Sequence, residues 1–135
     1  MSLTLEIVTP EGRIYSDTID MVVIPTAQGE VGILPGHIPL LTQIVNGELR
    51  VTKDGKEQLL AVGGGFGHVE AEKVSILAEH AITEEGIDEE AVEEALKRAK
   101  DQLKDAARLD PDEAELLHSL VLFAGVQLDL KRRRR

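Results

Sequence analysis

Asn46-Gly47-Glu48-Leu49-Arg50-Val51-Thr52-Lys53-Asp54-Gly55-Lys56-Glu57-Gln58-Leu59-Leu60-Ala61-Val62 decides the fold class of this chain. Asn46-Gly47 and Asp54-Gly55 adopt positive φ at low cost, so each predicts a hairpin turn. Between them the polarity alternates, with Leu49 and Val51 on one face, which is the period of a half-buried strand. Gln58 to Val62 then pairs back.

The same period continues outward. Leu3, Leu5 and Ile7 alternate with Thr4, Glu6 and Val8. Thr18 to Ile24 is rich in β-branched residues and stops at Pro25, which has no N–H to give a ladder. Glu70 to Lys73 is a polar turn before a strand over Val74 to Ala78. Turn signals at intervals of about ten residues predict a sandwich or barrel. Gly63-Gly64-Gly65-Phe66-Gly67 has neither the Lys-Ser/Thr nor the helix start of a phosphate loop. It reads as a bulge, a tight strand crossing or close sheet packing.

After Thr83 the period changes. Glu84-Glu85-Gly86 is a polar joint, and Asp88 to Arg108 contains no Gly or Pro. Its Ala91, Ala95, Ala99 and Leu103 fall on one helical stripe, widened by Val92 and Leu96. Acidic residues precede basic ones, complementing the helix dipole and setting up Glu93 with Lys97 and Glu94 with Arg98. Asp110-Pro111 restarts a helix, Asp as N-cap and Pro as first helical residue. The second helix runs over Asp112 to Leu130, with Leu117, Leu120, Val121, Ala124 and Leu128 on one face. So short a joint predicts an antiparallel helical hairpin. Apolar residues nearly encircle its second helix, so part of that surface docks on the strands or on another chain. The expected division is a strand body over residues 1–83 and a helical region over 84–135 ending in a basic tail, in an α+β chain.

Composition narrows the function. The chain has 135 residues, a size for one domain or one domain with an appendage, and a net charge of −10, which argues against a nucleic-acid partner. It contains no cysteine, so disulfides, thiolate metal sites and a Cys nucleophile are excluded. Apolar residues make up 42% and aromatics only 2%, so Val, Ile, Leu and Ala build the core. The longest apolar run, Leu120 to Val126, is far short of the roughly 20 residues that span a bilayer. The N-terminus lacks the pattern of a signal peptide. None of the four histidines has a partner at metal-ligand spacing. No hydrolase or zincin motif occurs, so no catalytic and no metal-binding residue is assigned. One segment stands out: Gly29 to Leu41 concentrates Gly, Pro, Glu30 and His37 into a rigid loop, a natural contact surface.

The run Val23-Ile24-Pro25-Thr26-Ala27-Gln28-Gly29-Glu30-Val31-Gly32-Ile33-Leu34-Pro35-Gly36-His37-Ile38-Pro39-Leu40-Leu41-Thr42 resembles the diagnostic segment of the ε subunit of bacterial F-type ATP synthases, and of the chloroplast form. Ile7-Val8-Thr9-Pro10-Glu11, Gly64-Gly65-Phe66 and Val74-Ser75-Ile76-Leu77-Ala78-Glu79 extend the resemblance over essentially the whole chain. It implies an antiparallel ten-stranded β-sandwich followed by a two-helix hairpin. It also implies a non-catalytic central-stalk subunit that binds the γ subunit and sits on the c-subunit ring. Gly29, Glu30, Gly36 and His37 correspond to the ring-facing loop. The hairpin either folds on the sandwich or extends along γ toward the catalytic α/β subunits, where it inhibits ATP hydrolysis. The implied location is peripheral, on the cytoplasmic face of the plasma membrane, or on the stromal side of the thylakoid for a plastid protein.

Two departures from the family pattern bear on function. Where many members carry Ile/Leu-Asp-x-x-Arg-Ala for ATP, this chain reads Ile87-Asp88-Glu89-Glu90-Ala91-Val92. Ala91 replaces the guanidinium best suited to phosphate, and Glu89 and Glu90 add repulsion, so weak or absent ATP binding and no cofactor are expected. The second helix lacks Lys and Arg over Asp112 to Leu130; its positive charge lies in Lys131, Arg132, Arg133, Arg134 and Arg135. That cluster is either the inhibitory contact or a solvated tail. A stand-alone nucleotide sensor using the same hairpin is the alternative reading, and an enzyme ranks third.

Overall fold

A computed structural model describes residues 2–133. Eight strands come first: β1 (Leu3–Thr9), β2 (Gly12–Ile19), β3 (Met21–Thr26), β4 (Gly29–Ile33), β5 (Leu40–Ile44), β6 (Gly47–Lys53), β7 (Lys56–Val69) and β8 (Lys73–Thr83). A 3-10 turn over Glu84–Gly86 leads into α1 (Glu89–Leu103), and a second over Ala106–Arg108 precedes α2 (Pro111–Arg133). The strands hydrogen-bond in the order β2-β1-β8-β7-β5-β3-β4, with β6 pairing β3 and β7. Inward side chains from all eight strands meet in one core, including Leu3, Leu5, Ile7, Ile24, Leu49, Leu60 and Ile76. The period-two pattern of β1 is realised residue by residue, with Leu3, Leu5 and Ile7 fully buried.

The strand count corrects the expectation of ten strands: among the described residues the sheet has eight. It is also mixed, because β1 pairs with β8 in parallel. Two long strands absorb the difference. β7 passes without interruption through Gly63-Gly64-Gly65, and the missing Cβ of Gly65 lets the Leu77 backbone of β8 come close while the strands stay paired. Its ladder with β8 extends from Leu60–Thr83 to Val69–Val74 and drops only the Gly64–Glu79 pair.

The two glycine dipeptides have different roles. Asp54 (φ 52°) and Gly55 (φ 75°) form the tight turn between β6 and β7, as expected. Asn46-Gly47 is not a hairpin. β5 and β6 lie end to end along the same partner, β7, and the chain only bends between them. Glycine is needed at 47 because a Cβ there would lie 2.9 Å from the Pro25 Cβ. Thr18 to Ile24 is likewise two strands with a corner at Asp20, whose N–H donates to the Thr52 carbonyl at 2.9 Å. The β6–β7 turn is clasped to this corner by Lys53 on Asp17 (2.7 Å) and by the Asp54 N–H on the Asp20 carboxylate (2.8 Å). The Lys53 ammonium holds the Asp17 carboxyl below its ordinary range.

Asp88 caps α1, accepting from the Ala91 N–H at 3.1 Å, and Asp110 caps α2, accepting from the Glu113 N–H at 2.9 Å. α1 ends at Leu103 rather than running on to Arg108. The Asp105 N–H turns to the Gln102 carbonyl, tightening the backbone before it reverses into Asp110-Pro111. Neither expected Glu-to-basic pair within α1 forms among the described residues; Glu93 instead reaches Arg132 on α2. α2 uses two faces. Phe123 and Leu130 join Leu59, Ala61 and Ile87 in a second apolar cluster against β7. Ala124 and Leu128 are buried as well. Leu116, Leu120 and Leu122 remain exposed.

Candidate functional site

The outer face of the sheet opposes the core across β5, β7, β8 and β1. Its register aligns Gln43 with Phe66, Phe66 with Leu77, and Leu77 with Val8, giving one row across four strands. Alternation in β8 buries Val74, Ile76 and Ala78, so Leu77 must point outward. Phe66 is 59% and Leu77 62% exposed. A shallow depression of about 570 Å³ follows the row, lined by Val8, Pro10, Gly64, Phe66, Leu77 and Glu79. Large apolar side chains held at outward positions and gathered into one patch are the mark of a contact surface. Phe66 and Leu77 were not among the residues expected to make contacts. The available signal was Leu77, apolar at the polar phase of an alternating strand.

The residues assigned to the ring-facing loop divide between two elements. Gly29 (φ 111°) closes the β3–β4 turn, where the Thr26 hydroxyl donates to its carbonyl at 2.6 Å. Glu30 lies on edge strand β4 and forms an ion pair with Arg50 at 2.8 Å. Gly36 (φ 86°) shapes the loop over 34–39, and its N–H donates to the Ala71 carbonyl at 2.6 Å. His37 is on that loop, with Nδ1 2.6 Å from the Ile38 carbonyl oxygen. Among the described residues, Glu30 and His37 make no hydrogen bond or ion pair with each other. The exposed Leu34, Ile38 and Leu41 flank the histidine.

The degenerate nucleotide motif has structural duties. Ile87 is buried under the helices, Asp88 is the N-cap of α1, and Val92 packs against the cluster beneath α2. Ala91 lines a cleft of about 320 Å³ between the helices and β8, with Ile82, Ala95, Leu120, Phe123 and Gln127. Among the described residues, no Lys or Arg lines this cleft, and its one charged lining residue is Asp88. It suits apolar side chains rather than a triphosphate.

The basic end of α2 is helical at Lys131, Arg132 and Arg133; Arg134 and Arg135 lie outside the described residues. Lys131 Nζ donates to the Glu84 carbonyl at 3.1 Å. Arg132 pairs with Glu89 at 3.1 Å and also with Glu93. Arg133 pairs with Glu48 of β6, and with Asp129 at 3.2 Å. The Glu48 carboxylate raises the Arg133 pKa above its ordinary value. Among the described residues, no group of three or more His, Asp or Glu is placed to hold a metal ion. Among the described residues, no helix is long and apolar enough to cross a membrane.

A family profile described as "ATP synthase, Delta/Epsilon chain, beta-sandwich domain" matches residues 2–84. The ATP synthase epsilon chain 2 of Ralstonia nicotianae is 38% identical over 136 residues, covering 98% of each chain. This chain belongs to the ATP synthase epsilon-chain family. The epsilon chain of Bacillus subtilis is 44% identical over 102 residues, 76% of this chain and 77% of that one. The fold recurs at TM-score 0.73 and 24% identity in a structure of the Euglena gracilis mitochondrial ATP synthase, covering 99% of this chain and 82% of that one. As an epsilon chain it is a non-catalytic central-stalk subunit, coupling rotation of the c-ring to F1. It carries out no reaction of its own and its role calls for no cofactor. It is a peripheral component of a membrane-associated machine.

Proposed function

We propose that the strand body, residues 1–83, grips the γ subunit through the outer row of Val8, Phe66 and Leu77, and that Glu30 and His37, with Gly29 and Gly36 shaping their turns, face the c-ring. The observation that carries this reading is the in-register row of exposed apolar side chains on a sheet whose other face is the core. A shaft offering apolar surface buries Phe66 and Leu77 at a gain of roughly 25 cal/mol per Å². The Glu30–Arg50 pair is exposed, so exchanging Arg50 for a cation of the ring costs little. The complex stands on the cytoplasmic face of the plasma membrane, or on the stromal face of the thylakoid in a plastid. Co-purification of γ with the intact chain tests the grip: a coupling subunit retains γ, and a stand-alone sensor elutes by itself.

The helical region, residues 84–135, acts in this proposal as the regulatory element, folded on the body or extended toward the α/β catalytic subunits to inhibit hydrolysis. In the extended form Lys131 to Arg135 supply the positive charge that meets acidic segments. Nucleotide has a small part in the balance, because Ala91 and Val92 stand where the motif asks for Arg and Ala, and the neighbouring cleft is apolar. Isothermal titration of the full chain with ATP is expected to show no saturable binding below the millimolar range. A micromolar dissociation constant would overturn this.

A further inference from the structure

We propose that the basic end of α2 is an electrostatic latch that holds the helical hairpin on the strand body, and that an acidic protein surface opens it by competing for the same side chains. Successive residues of a helix point about 100° apart, so three in a row reach in three directions. Here each finds a different partner element: Lys131 the joint at Glu84, Arg132 the first turns of α1 at Glu89 and Glu93, and Arg133 the sheet at Glu48. The Glu48 and Glu89 side chains are only 17% and 19% exposed, so salt screens their pairs less than fully solvated ones. Leu130, fully buried beside the latch, seats the helix against β7.

The latch is confined to this end of the helix. α2 has no other Lys or Arg, so among the described residues it is held before Lys131 by apolar packing and by the stack of Phe123 on the His80 ring. On a chain of net charge −10, three cations grouped at one helix end meet a backbone carbonyl on the joint and carboxylates on α1 and on β6. A partner surface presenting several carboxylates therefore offers Arg132 and Arg133 the same chemistry that they find in the folded state. Release and capture become one exchange of carboxylates rather than two separate events. The inference needs only the chain itself and stands whether or not γ is its partner.

Thiol labelling of the intact chain tests it. The protein has no cysteine, and Leu59 is buried where α2 meets β7, so Leu59→Cys creates a single thiol that is shielded while the hairpin is folded. With a neutral maleimide in excess, the labelling rate follows the open population. Arg133→Glu in this background is expected to label about fivefold faster, the effect of one broken pair of this kind. Glu48→Arg is expected to do the same. Combining Arg133→Glu with Glu48→Arg restores the slow rate; Asp129 is untouched in every variant, so the restoration reports the pair with Glu48. Raising salt from about 0.1 M to about 1 M, which shortens the Debye length from roughly 10 Å to 3 Å, also speeds labelling. Poly-glutamate at fixed ionic strength speeds it further. Rates indifferent to salt and to Arg133→Glu, or a double variant as fast as the single ones, would overturn the latch. Rates indifferent to poly-glutamate alone would overturn the competition. Circular dichroism separates opening of the hairpin from loss of the strand body.

Discussion

Gly65→Ala is expected to destabilise the strand body by about 3 kcal/mol or more. A Cβ on Gly65 would stand 1.9 Å from the Leu77 carbonyl oxygen and 2.8 Å from the Ala78 Cα. Both obstacles are backbone, and β8 cannot retreat because it is hydrogen-bonded to β7 on one side and β1 on the other. Native stability is on the order of 5–15 kcal/mol, so one methyl group removes a large part of it. Urea denaturation should show a much lower midpoint. Gly64→Ala is the internal control: the nearest atom to its Cβ would be the Ile44 carbonyl oxygen at 3.8 Å, an ordinary contact. That variant should stay within about 0.5 kcal/mol of the parent. Equal midpoints for the two alanine variants would show that β7 and β8 are not packed as closely as this structure places them.

Phe66→Asp combined with Leu77→Asp is expected to leave the fold standing and to weaken γ binding roughly 100-fold or more. Both side chains point away from the core, so their removal opens no cavity. At a central contact they would be anchors of the kind that contribute 2–4 kcal/mol each, and two carboxylates in their place are desolvated without partners. Leu116→Asp, equally exposed but on α2, should leave γ affinity unchanged. Titration calorimetry or biosensor binding to purified γ separates the cases, with the denaturation midpoint as the folding control. Unchanged affinity in the double variant would remove the outer face from the account.

Local chemistry made much of this fold legible. The alternation of Leu3, Leu5 and Ile7, the turn at Asp54-Gly55 and the Asp110 cap are decided by a few neighbouring residues, and each stands where the sequence places it. Features decided by distant partners were not legible. Asn46-Gly47 has the composition of a turn, but its glycine answers to Pro25, twenty-two positions away. The eight-strand count depends on β7 running unbroken through Gly63-Gly64-Gly65, a run whose glycines permit a continuous strand or a break alike. Glu30 and His37 are close in sequence, yet one lies on a paired edge strand and the other on a loop. The outer row was half visible, because Leu77 disturbs its own alternation; that Val8 and Phe66 stand beside it follows only from the register. The basic end looked like a tail because its partners, Glu48 and Glu93, are far away along the chain.

The central claim is that a strand body carries the coupling contact and a separable helical hairpin restrains hydrolysis. ATP hydrolysis by the reconstituted F1 complex, compared between the full chain and a chain ending at Thr83, tests it most directly. Both forms should retain γ through purification, and the shortened chain should support several-fold faster hydrolysis. A shortened chain that folds but does not hold γ, or two complexes that hydrolyse ATP at the same rate, would contradict it.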